Sequence, residues 1–118
     1  MGRLSTHVLD TVHGKAAPGV VIELHCLGPD LAWHLLANAR TNADGRTDKP
    51  LLDADAFKPG TYMLSFHMGD YFRTTGAEVH ASPFLDIVPL RFTMAEPNGH
   101  YHVPLLATPW SYSTYRGS

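Results

Sequence analysis

Side chains able to do chemistry near neutral pH gather in four places. His7 lies in an alternating segment near the start, Arg46 follows the dipeptide Asp44-Gly45, His100-Tyr101-His102 is the only His-x-His in the chain, and Tyr115-Arg116-Gly117-Ser118 closes it. Histidine is abundant, eight residues against nine lysines and arginines together, and it titrates near neutrality with little tuning. His100 and His102, two apart on a strand, project from one face. That spacing suits zinc, which needs a third ligand that His7 could supply; the plainer reading leaves one histidine exposed at a turn and the other hydrogen-bonded. His7 by itself reads as a half-buried histidine donating to a backbone carbonyl. Arg46, aimed by a tight turn, offers a planar fork for a carboxylate or an acidic heterocycle, or is simply a solvated turn arginine. At the tail, a strand-like run over residues 110–115 leads a ring, a guanidinium, a hydroxyl and an α-carboxylate to one point, where most chains fray.

Composition narrows the classes. The 118 residues are enough for one domain spanning 1–118, and 44% hydrophobic with 17% charged residues is a globular balance rather than a disordered one. So small a core would gain from oligomerisation. A formal charge of −2 and no basic stripe argue against nucleic acid. No apolar run is long enough to span a membrane. No secretory leader opens the chain and no Ser-Lys-Leu address ends it, so cytoplasm is the default expectation. Cys26 is the single cysteine; it excludes an internal disulfide and fits a reducing, intracellular setting. No Gly-x-Ser-x-Gly elbow, phosphate-binding loop or dinucleotide fingerprint is present.

The elements that must hold these residues are strands. Residues 4–9 alternate, with Leu4, Thr6 and Val8 on one face and Ser5, His7 and Leu9 on the other. Residues 10–17 read as a loop. Pro18-Gly19 leads into a β-branched strand over 20–27, and a further strand covers 32–41. A short strand is expected at Leu51-Leu52, and another strand runs over 61–67 after Pro59-Gly60. Residues 69–76 break the alternation and form the one short helix. The strand over 85–92 contains Pro89, which points to a sheet edge or a bulge. The last strands cover 102–107 and 110–115. Seven or eight short strands with little helix make an antiparallel β-sandwich the natural solution.

Several segments carry a specific likeness. Leu4-Ser5-Thr6-His7-Val8-Leu9-Asp10, Thr41-Asn42-Ala43-Asp44-Gly45-Arg46, His100-Tyr101-His102-Val103-Pro104-Leu105-Leu106 and Tyr112-Ser113-Thr114-Tyr115-Arg116-Gly117-Ser118 together resemble the 5-hydroxyisourate hydrolases, transthyretin-like enzymes of urate breakdown. Pro89 and Trp110-Ser111 depart from the family pattern away from the matching catalytic positions. The resemblance implies an all-β fold, a transthyretin-type antiparallel sandwich of two four-stranded sheets with one short helix. It implies a homotetramer, a dimer of dimers with active sites in the channel between dimers. The implied activity is hydrolysis of 5-hydroxyisourate to 2-oxo-4-hydroxy-4-carboxy-5-ureidoimidazoline, in purine degradation, with no metal and no cofactor. Carried onto this sequence, the catalytic set is His7, Arg46, His102 and Ser118, and the substrate contacts are His7, Arg46, Tyr115 and Arg116. The competing expectation is a non-catalytic carrier that binds a small aromatic ligand in the same channel.

Overall fold

Alternation of apolar and polar residues builds nearly every element. In a computed structural model describing residues 2–77 and 81–117, the strands are β1 (Arg3–Asp10), β2 (Lys15–Ala16), β3 (Val21–Leu27), β4 (Trp33–Arg40), β5 (Leu52–Asp53), β6 (Gly60–His67), β7 (Ile87–Met94), β8 (His100–Ala107) and β9 (Tyr112–Thr114). A 3-10 turn spans Ala54–Ala56, and the helix α1 spans Met68–Thr74, a residue or two before the segment expected from the broken alternation. One sheet has the order β2-β1-β8-β9, with β5 added against β1; the other has the order β4-β3-β6-β7. The two pack face to face. Leu4, Val8 and Leu105 from the first meet Ile22, Leu24, Leu64, Phe66 and Val88 from the second, all fully buried. Each such side chain contributes about 1.5–3 kcal/mol on leaving water.

Three features refine the sequence expectation. First, β1 and β8 run parallel along their whole length, from Arg3 opposite His100 to Asp10 opposite Ala107; the other pairs are antiparallel. Second, residues 10–17 are not all loop. Lys15 and Ala16 pair with Asp10 and Leu9, too short a strand to leave a periodic signal. Third, β9 begins at Tyr112 rather than at Trp110. Thr108 Oγ1 accepts hydrogen bonds from the backbone N–H groups of Trp110 (3.0 Å) and Ser111 (2.9 Å), which holds that stretch as a turn. Pro89 lies in β7, an edge strand of its sheet, where a missing N–H breaks no inner ladder.

The end of β1 is tied to α1 through one carboxylate. Asp10 is fully buried. It accepts from the Val12 and His13 backbone N–H groups, from His13 Nδ1 (2.6 Å) and from the Tyr71 hydroxyl (2.8 Å). Burial alone would push its carboxyl up. The hydrogen bonds from His13 and Tyr71 outweigh burial and hold it below the ordinary carboxylate value. We expect Asp10→Ala to leave these donors unpaired and cost about 3 kcal/mol, seen as a melting temperature roughly 10–15 °C lower. Because the folded-state pKa is depressed, the parent keeps this contribution above the unfolded value of 3.8 and loses it as pH falls below. The gap between parent and variant therefore narrows in acid.

Candidate active site

The parallel ladder sets two histidines on the outer face of one sheet. Leu4, Thr6 and Val8 point inward and are buried, so Ser5 and His7 point out, half-buried. On β8, Tyr101 and Val103 point inward and His102 points out, half-buried. Ser5 lies directly opposite His102, and His7 lies one step further along, opposite Pro104. Ser5 Oγ and His102 Nδ1 are 2.9 Å apart. On the buried side, the Thr6 hydroxyl donates to the Val103 carbonyl at 2.6 Å, pinning the same register from within.

Arg46 reaches this face on a turn strapped to β1. Asn42 Oδ1 accepts from the N–H groups of Asp44 (2.9 Å) and Arg46 (3.2 Å), and the Asn42 N–H donates to the Arg46 carbonyl at 2.7 Å. Gly45 has φ +73, and a Cβ there would lie 2.4 Å from the Val8 carbonyl oxygen; only glycine lets the turn lie so close to β1. The turn is held down by the Val8 N–H donating to the Gly45 carbonyl (2.8 Å) and by His7 Nε2 against the Asp44 carbonyl (2.8 Å). A carbonyl only accepts, so His7 Nε2 carries the proton of that bond. The exposed Arg46 then lines a small cavity of about 160 Å³ together with Ser5, Arg3 and Lys49.

These neighbours set the charge state of His102. Its pKa is lowered from the ordinary histidine value of 6.5, first by burial, then by the Arg46 guanidinium and by His7. All three causes act against the imidazolium. A neutral imidazole held beside a permanent cation can take a proton from water while the cation steadies the negative charge that develops.

The tail meets this cluster through its backbone. The Gly117 N–H donates to the His102 carbonyl at 2.7 Å in an antiparallel bridge. A Cβ on Gly117 would lie 2.7 Å from His102 Cδ2, so the absence of a side chain is what lets the tail lie on the ring. Tyr115 and Arg116 both line one cleft, apart from the contact that Gly117 makes with His102. Arg116 sits with its guanidinium 4.2 Å over the Tyr101 ring and 3.6 Å from Glu96, toward the inward-facing side of β8. There it lines a cleft of about 440 Å³ between β7 and β9, with Tyr101, Thr114 and Tyr115. Ser118 lies outside the described residues.

The structure thus brings together His7, Arg46 and His102, and it leaves Arg116 on a different partner. His100 is exposed, and among the described residues no group of three or more His, Cys, Asp or Glu side chains is placed to hold a metal ion. Sequence reasoning did not single out Ser5, Asn42 or Gly117. Asn42 was findable from its place two residues before Asp44-Gly45, where an asparagine closes a turn on itself. Ser5 was not, because its contact depends on a strand pairing that spans the chain.

This geometry sits in a chain with close relatives. Residues 4–117 match the model of the HIUase/Transthyretin family. A protein named 5-hydroxyisourate hydrolase 2 from Rhizobium meliloti (strain 1021) is 54% identical over 117 residues, covering 99% of this chain and 97% of that one. Among solved structures, an (S)-allantoin synthase superposes with TM-score 0.93 at 46% identity, covering 99% of this chain and 44% of that longer one. Sea bream transthyretin, crystallised with thyroxine, superposes with TM-score 0.85 at 29% identity, covering 98% of this chain and 94% of that one. With the two-sheet sandwich, the match over residues 4–117 and more than half of all positions shared with a full-length relative, the chain belongs to the HIUase/Transthyretin family.

Proposed function

We propose that this protein is a hydrolase that opens 5-hydroxyisourate, with His102 as general base and Arg46 as the cation beside the reacting carbonyl. The observation that carries the reading is the place of His102: half-buried on an ordered sheet face, with burial, Arg46 and His7 all lowering its pKa. Water attacks the six-membered ring's amide carbon as its proton passes to the imidazole. The oxygen becomes an oxyanion facing the guanidinium. The carbon–nitrogen bond then breaks, the ring nitrogen takes the proton back from the imidazolium, and the opened product's carboxylic acid loses its remaining proton to solvent to become a carboxylate. A positioned base is worth ~10²–10⁴-fold, and one donor to the oxyanion roughly 3 kcal/mol. His7, with Nε2 committed to the Asp44 carbonyl, is assigned to holding the turn and contacting substrate.

The tail completes the assignment. Ser118 follows Gly117, whose backbone pairs with that of His102, and we assign it to the catalytic set; Tyr115 is given a substrate contact. Arg116 is given the anchoring of the tail in place of a direct substrate contact, because its guanidinium is engaged over Tyr101. The assembly proposed is a homotetramer, a dimer of dimers with this face toward a shared channel. The edge strands β7 and β9, with Ile87 and Tyr112 exposed, support it, since such edges invite pairing with a second copy. The carrier reading draws on the thyroxine complex of sea bream transthyretin; a base and a fixed cation on the candidate face favour the enzyme.

Three measurements test the reading. With 5-hydroxyisourate generated in place by urate oxidase, the protein should speed its ultraviolet decay above the spontaneous rate, and His102→Asn and Arg46→Ala should each cut turnover at least about a hundredfold. No acceleration by the parent would favour the carrier. The acid limb of kcat/KM should fall with an apparent pKa below 6.5, since only the neutral imidazole accepts a proton. Arg46→Gln removes one cause of the depression and should move that limb to higher pH. Gly117→Ala pushes a methyl group onto the ring of His102, and should reduce turnover by about tenfold or more while the far-ultraviolet circular dichroism stays that of the parent.

A further inference from the structure

We propose that Ser5 is a positioning residue that fixes which nitrogen of His102 is free to accept a proton. This inference rests on the hydrolase reading, which gives the bond its direction; the tautomer can be measured independently of turnover. A neutral imidazole carries one proton, on Nδ1 or Nε2, and the partner of the first nitrogen decides the state of the second. For His102 that partner is the Ser5 hydroxyl, 2.9 Å from Nδ1. Among the described residues this is the hydrogen bond that Ser5 Oγ makes.

The direction of the bond follows from the chemistry that His102 must do. A hydroxyl can donate or accept. Were it to donate to Nδ1, Nε2 would hold the proton and offer no lone pair to water. With Oγ accepting from Nδ1–H, the Nε2 lone pair is free. The same bond persists unchanged when Nε2 takes its proton, because both ring nitrogens of the imidazolium donate. No hydroxyl rotation and no second proton transfer are needed during turnover.

A hydroxyl also suits the charges at this face. A carboxylate in the place of Ser5 would orient the ring as well, but it would stabilise the imidazolium and oppose Arg46. Serine orients without charge. The cross-strand pairing of Ser5 with His102 makes the contact a property of two sheet backbones rather than of a loop, and the buried Thr6-to-Val103 bond holds the register beneath it.

The test reads the tautomer directly. In protein labelled with 15N-histidine, without substrate and above the His102 titration, the His102 ring should show a protonated Nδ1 and an unprotonated Nε2. Ser5→Ala should shift it toward the Nε2–H form that a free imidazole prefers, and Ser5→Thr, which keeps the hydroxyl, should restore the parent pattern. In the hydrolysis assay Ser5→Ala should lower kcat about tenfold to a hundredfold, short of the ~10⁴-fold loss when a wrong tautomer is locked, with KM within about twofold. Ser5→Thr should recover most of the rate. A parent spectrum with Nε2–H on His102, or a Ser5→Ala spectrum identical to the parent's, overturns the inference. Should Ser5→Ala fail to fold, the parent and Ser5→Thr spectra still decide it. A parent that shows the Nδ1–H pattern but hydrolyses nothing overturns the hydrolase reading and leaves the tautomer assignment standing.

Discussion

Residues 3–10 and 100–107 lie side by side in a parallel ladder, and the candidate site depends on its register. Side chains alternate faces along a strand, so a slip of one residue would turn His102 into the sandwich and Tyr101 out of it. The buried side forbids that slip. Tyr101 stacks on Phe57 at 6.0 Å, and its hydroxyl accepts the backbone N–H groups of Ala95 and Glu96. Thr6 ties β1 to the Val103 carbonyl. Core packing on one face of the sheet therefore fixes the spacing of the candidate site on the other.

The histidines of this chain sort themselves by partner. His13 meets Asp10 at 2.6 Å, His34 meets Asp30 at 2.9 Å, and His67 meets Glu23 at 2.7 Å. Each of these rings is hydrogen-bonded to a carboxylate of its own chain, a partnership that suits a structural or surface role. His102 faces a neutral hydroxyl, a guanidinium and another histidine, the reverse environment. What distinguishes the proposed base from His13, His34 and His67 is the sign of the charge nearby.

Much of this was legible before any coordinates. The inward and outward sets of residues 4–9, the edge position implied by Pro89 and the turn at Asp44-Gly45 follow from period-two alternation, a missing donor and turn chemistry. The four motif segments carried the family. What alternation cannot carry is which strands are neighbours: nothing local says that β1 lies parallel to β8, so the Ser5–His102 contact stayed hidden. The two-residue strand at Lys15–Ala16 was too short to show a period. The partners of the tail are hidden for a related reason. Consecutive residues share a segment but not a partner: among the described tail residues, Arg116 stacks on Tyr101 and the backbone of Gly117 pairs with His102.

The ladder also divides the chain by origin. The sheet β4-β3-β6-β7 is drawn from one central stretch, whereas the sheet bearing the candidate site is assembled mostly from the two flanks, with Ser5 and His102 separated by 97 positions. Joining segments so distant is slow compared with forming local hairpins. During synthesis the central sheet's strands are all available before β8 has left the ribosome, so the candidate face is among the last surfaces of the molecule to come into being. A chain released before β8 lacks that face altogether.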